Sequence, residues 1–105
     1  MQRVLTVADL PDSALASAAH FHSSHLDEAT TILGDPQVTS LAIVMPQASY
    51  DHDDWRRALA RDLARAFTPK RANVVAADDA DARGKLLSYL EGAAGVTGQY
   101  FCAND

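Results

Sequence analysis

Leu41-Ala42-Ile43-Val44-Met45 decides the fold of this chain. Gly34-Asp35-Pro36 precedes the run and Pro46-Gln47-Ala48-Ser49 follows it, so loop signals bound it on both sides. A short, continuous, β-branched-rich run without alternation reads as a strand covered on both faces. Segments with helical spacing lie on either side of it in sequence. The run is therefore expected to be an inner strand of an open α/β sheet.

Upstream, Arg3 to Ala8 reads as a first strand, and Asp9-Leu10-Pro11-Asp12-Ser13 as a turn that opens a helix. Leu15, Ala18, Ala19, Leu26, Ala29, Ile32 and Leu33 keep helical spacing, which predicts one helix from about Asp12 to Leu33, stopped by Gly34. Downstream, Asp51-His52-Asp53-Asp54 places acids where a helix N-terminus favours them. A helix from Asp53 to Phe67 should follow, burying Trp55, Leu59, Leu63, Ala66 and Phe67. Arg71 to Ala76 reads as a third strand. Asp78-Asp79-Ala80-Asp81 caps a third helix with Leu86, Leu87 and Leu90 inward, and Gln99 to Cys102 is a last strand. Helices between consecutive strands mean parallel pairing through right-handed crossovers. The expected fold class is α/β: one domain over 1–105, a three-layer open sheet of four parallel strands, βαβαβαβ, in the order 1-2-3-4.

Composition narrows the function. A hydrophobic content of 48% with 22% charged residues suits a soluble globular domain. A net charge of −5 argues against nucleic acid as a partner, which needs a basic footprint. Cys102 stands alone, so neither a disulfide framework nor a cysteine metal cluster is expected, and a reducing, cytoplasmic setting fits. Met1 to Val7 is too short and too polar for a signal peptide, and no apolar stretch approaches a membrane span.

Three local features suggest a family. Arg71-Ala72-Asn73-Val74-Val75-Ala76, then a Leu-rich helix, then Val96-Thr97-Gly98-Gln99 resembles the C-terminal half of a short-chain dehydrogenase/reductase, a Rossmann-like family. Leu41 to Ser49 is similar to the strand that leads into that family's catalytic serine region. The likeness covers Leu41 to Asp105 and extends weakly to Arg3–Ala8. The chain also departs from the pattern. No Gly-rich loop joins its first strand and helix, so the pyrophosphate site is missing. The family's Tyr-x-x-x-Lys is absent: Asp54 stands four places after Tyr50, and Ala93 four after Tyr89. Ala76-Ala77 replaces the usual Pro-Gly, and the stretch from Asn73 to Thr97 is too short for a substrate loop. No catalytic residue, metal or cofactor is expected, and nicotinamide chemistry least of all.

Candidate ligand contacts are Ser49, Tyr50, His52 and Asp78, which lie just past the carboxyl ends of inner strands, where open α/β sheets bind ligands. Ser49 with His52 has the residue types of a nucleophile and base, although helix capping is the commoner use of such residues. His20, His22 and His25 interrupt the first helix. His22, His25 and Glu28 share one side of it, a spacing short of a metal site. His22 and His25 are instead expected at a subunit interface. Arg56, Arg57, Arg61, Arg65, Lys70 and Arg71 are six of nine basic residues within sixteen positions. Of these, Arg57, Arg61 and Arg65 recur every four residues and suit an acidic partner protein, such as an acyl carrier protein or a reductase.

Two functional readings follow: a non-catalytic interaction or accessory module on a reductase scaffold, or a small-ligand or nucleotide-binding protein (or minimal enzyme) using the loop after the second strand. A homodimer is expected under the first. Four strands with three crossover helices leave one layer thin. The first helix also carries both Phe21 and Leu26 around its circumference, and the helices flanking the inner strand pair across a two-fold axis in the resembling family.

Overall fold

The structure, a computed structural model, describes residues 1–103. Asn104 and Asp105, the end of the stretch over which the resemblance was drawn, lie outside the described residues. Strands β1 (Gln2–Thr6), β2 (Ser40–Met45), β3 (Arg71–Ala76) and β4 (Tyr100–Cys102) form one parallel sheet in the order 1-2-3-4. Leu5, Ile43 and Val74 sit side by side in register. All six residues of β2 are buried, as an inner, two-face-covered strand requires. The topology is the Rossmann-like α/β arrangement.

Helices α1 (Ala14–Ser24), α2 (Leu26–Leu33) and α3 (Asp53–Ala66) cover one face of the sheet, and α4 (Ala80–Gly92) covers the other. Ser13 caps α1 by accepting the Ala16 N–H at 3.2 Å, and Asp79 caps α4 by accepting the Ala82 N–H at 2.9 Å. These caps satisfy donors that the helices leave without partners. A single 3-10 turn, Tyr50–His52, leads into α3, whose first turn carries Asp53 and Asp54. No helix among the described residues is long and apolar enough to cross a membrane.

Two expectations change. The single helix from Asp12 to Leu33 is two helices, broken at His25, where φ is −126° and ψ is −18°. The break resets the helical phase. Consequently Leu15, expected inside, is 86% exposed, while Ser17 and Phe21 face the core. Phe21 and the half-buried Leu26 both pack into one cluster of the same chain, so their spread around the circumference is no sign of a second interface. In α3, Ala66 is exposed, and the buried face is Arg56, Leu59, Ala60 and Leu63.

Two of the sequence features behind the resemblance, Asn73 and Thr97-Gly98-Gln99, hold β3 to β4. Asn73 is 4% exposed; its side chain donates to the Val96 carbonyl at 3.0 Å and accepts the Gln99 N–H at 3.0 Å. Thr97 accepts the Ala72 N–H at 3.0 Å, and the Gly98 N–H reaches Ala72 O at 2.7 Å. Gly98 has φ +71°, and a Cβ there would lie 3.4 Å from Ala64 of α3. Only glycine adopts that conformation without strain.

Candidate ligand-binding site

A crevice of about 460 Å³ opens at the carboxyl ends of β1 and β2. Leu10, Pro11 and Asp12 form one wall from the loop after β1; Pro46 to Ser49 form another from the loop after β2. His52 and Arg56 complete it. A smaller cavity of about 170 Å³, lined by Thr6, Pro46, Ala77, Asp78 and Arg83 among others, adjoins it across Pro46.

Arg56 is the unusual member of this site, with 1% exposure. Its Nη1 donates to the Pro46 carbonyl at 2.9 Å and to the Tyr100 hydroxyl at 3.2 Å. The guanidinium carbon lies 5.5 Å from the Trp55 ring centroid and 5.9 Å from that of Tyr100, within cation–π range. Among the described residues it makes no ion pair, and its buried Nε has no partner. A buried cation without a paired carboxylate is costly, and here only the Pro46 carbonyl, the Tyr100 hydroxyl and two ring faces offset its lost hydration. Burial pushes the Tyr100 phenol pKa up, while the hydrogen bond from Arg56 and its charge pull the other way.

The candidate ligand contacts divide. Ser49 and His52 line the crevice, Asp78 lines the smaller cavity, and Tyr50 is 87% exposed and lines neither. Asp78 accepts the Gln47 N–H at 3.1 Å and so ties the loop after β3 to the loop after β2. Ser49 does not meet His52 as a base. Its hydroxyl donates to the Asp51 carboxylate, and that bond holds the exposed carboxyl below the usual range. His52 is buried and both ring nitrogens are occupied: Nδ1 accepts from Trp55 Nε1 at 3.2 Å, and Nε2 faces the Asp12 carbonyl at 2.8 Å. The tautomer with hydrogen on Nε2 satisfies both contacts. His52 is therefore a strut between the β1–α1 loop and α3, and the pair as arranged activates no nucleophile.

The basic segment also divides. Arg57 pairs with Asp53 at 3.8 Å and Arg65 with Asp62 at 2.7 Å, while Arg61 makes no ion pair among the described residues. Lys70 donates to the Leu33 and Asp35 carbonyls at 2.5 and 2.8 Å, and Arg71 to the Leu90 and Ala93 carbonyls at 2.8 and 2.7 Å. Those two bind helix C-termini. His22 is exposed and contacts its own Ala18 carbonyl at 2.7 Å. His25 turns to Asp9 at 2.9 Å, within its own chain.

Sequence reasoning grouped Arg56 with the basic segment 56–71 and missed it as a site residue. The signal was there: 56, 59, 60 and 63 is the i, i+3, i+4, i+7 pattern of one buried face, which Arg57, Arg61 and Arg65 do not share.

With four parallel strands, three crossovers and the Asn73–Thr97-Gly98-Gln99 junction, the architecture is that of a reductase half. The chain belongs to the short chain dehydrogenase-like protein family, which it matches over residues 5–103 of its 105. No curated protein and no solved structure gives a match.

Proposed function

We propose that this chain is a non-catalytic module on the reductase scaffold, and that its crevice binds a small anionic ligand without NAD(P)H chemistry. Arg56 carries the reading: a buried cation, free of any ion pair among the described residues, in a crevice at the carboxyl edge of the sheet. A ligand carboxylate or phosphate is the counter-charge such a guanidinium recognises best. The missing Gly-rich loop and Tyr-x-x-x-Lys support the absence of hydride transfer. Thermal shift with nicotinamide dinucleotides, nucleoside phosphates and small carboxylates tests this. A true ligand at a hundredfold excess over its Kd raises stability by about 2.7 kcal/mol. Shifts from anions that vanish in Arg56→Met are expected. Saturable NAD(P)H binding that survives Arg56→Met overturns the reading.

A homodimer is part of the proposal. It is supported by apolar side chains left at the surface, Leu15 at 86% on α1 and Val4 at 41% on β1. An acidic protein partner on Arg57, Arg61 and Arg65 has weaker support, because Asp53 and Asp62 already offset two of the three. Sedimentation equilibrium at tens of micromolar decides the dimer, and a strictly monomeric species removes it.

A further inference from the structure

Asp9, His20 and His25 offer one ligand atom each, and the three atoms lie within 4.8 Å of one another. His20 Nε2 is 3.1 Å from one Asp9 carboxylate oxygen, and His25 Nε2 is 2.9 Å from the other. We propose that these residues form a binding site for a borderline divalent transition metal, of which Zn²⁺ is the type.

The geometry comes from the helix break. Five residues along an unbroken α-helix would separate His20 and His25 by roughly 140° around the axis. The departure from helical ψ and φ at His25 swings its ring back toward His20, and the centroids stand 5.5 Å apart. Phe21, which is fully buried, backs the His25 ring at 5.9 Å and limits its movement. The third donor arrives from a different element, the loop after β1. Two imidazole nitrogens and one carboxylate oxygen suit Zn²⁺, Co²⁺ or Ni²⁺, and suit Mg²⁺ or Ca²⁺ poorly, since those ions favour all-oxygen shells. Small ring rotations bring the donors from hydrogen-bond spacing to about 2.0–2.2 Å from a shared ion. Ligation through Nε2 requires each imidazole to be neutral with its hydrogen on Nδ1, so any hydrogen that Nε2 offers Asp9 leaves that nitrogen when the ion binds. Asp9 is 65% exposed, so water completes the shell. A bound ion would fasten the loop carrying Leu10, Pro11 and Asp12, one wall of the crevice, to the α1–α2 junction.

The test is calorimetry with Zn²⁺ alone on the full chain, in a Cys102→Ser background because the exposed thiol of Cys102 is itself a zinc ligand. Co²⁺ absorption reports the nitrogen–oxygen shell, and Mg²⁺ is the negative control. One ion per chain is expected. Asp9→Asn, His20→Gln and His25→Gln should each weaken it at least about tenfold, as loss of even an outer-shell partner does. His22→Gln, an exposed histidine on the same helix outside the cluster, should leave it unchanged. No saturable Zn²⁺ binding, or binding that persists in Asp9→Asn and His20→Gln, overturns the proposal. Should His25→Gln fail to fold, those two variants decide it.

Discussion

Under α1, α2 and α3 one buried cluster has thirteen residues, from Leu5 and Phe21 to Leu59 and Val74; the buried cluster under α4 has four, Ala42, Val75, Ala77 and Leu90, with the buried Val44 on the same side of β2 as Ala42. The first face has three helices in close contact, while the second has one helix with a single fully buried residue, Leu90. Val4 of β1 is left 41% exposed. Stabilisation by burial scales with the apolar area removed from water, so most of the folding energy resides on the first face. The crevice and Arg56 belong to that face too. The proposed anion site, built on a buried cation, would need rigid walls, and the thick layer would supply them.

Truncating each face in turn tests this inequality. Phe21→Ala should cost about 3–5 kcal/mol and Leu59→Ala about 2–5 kcal/mol in denaturant melts. A Leu59→Ala loss below about 0.5 kcal/mol would mean that the helix face is wrongly placed, since only surface changes are that mild. On the thin face, Leu90→Ala should cost about 2 kcal/mol, the low end for such truncations. A Leu90→Ala loss equal to that of Phe21→Ala would abolish the distinction between the faces.

Arg56→Met sharpens the comparison differently. Replacing a buried charge by an apolar side chain of similar length should leave the ligand-free protein unchanged or more stable by about 1 kcal/mol. The same variant should lose its anion-dependent thermal shift. Strong destabilisation with binding intact would make Arg56 a packing residue only.

The smallest effect is spectroscopic. Ultraviolet titration should find Tyr100 ionising above the ordinary phenol range, because burial disfavours the phenolate. A pKa raised by folding means that stability is complete below the unfolded phenol pKa and declines as pH climbs through the folded value. Arg56→Met removes the opposing hydrogen bond and charge, so Tyr100 should move further up. A downward move would contradict the assigned contact.

Strand positions and sheet order were legible because each rests on a local pattern: β2 as a bare apolar run, β3 as Arg71–Ala76, and Pro or Gly at the boundaries. The Asn73–Thr97-Gly98-Gln99 likeness was legible because its residues bond to one another across two strands. The helix break at His25 was not. No Pro or Gly marks it, and spacing alone could not show that Ser17 rather than Leu15 faces inward. The meeting of Asp9 with His20 and His25 follows from that break, so it was equally hidden. Arg56 was hidden for another reason: charge suggested solvent, although its helical phase matched Leu59 and Leu63.

Lys70 and Arg71 are adjacent, yet they hold the C-termini of helices on opposite faces, α2 and α4. Neighbouring residues entering a strand point to opposite sides, so one peptide unit bolts both layers together at the amino edge of β3. Adding or removing a single residue here would exchange the sides to which these two cations point, and each helix end would lose its clamp. Homologous chains should therefore vary in this segment by substitution, with their length between α3 and β3 held constant.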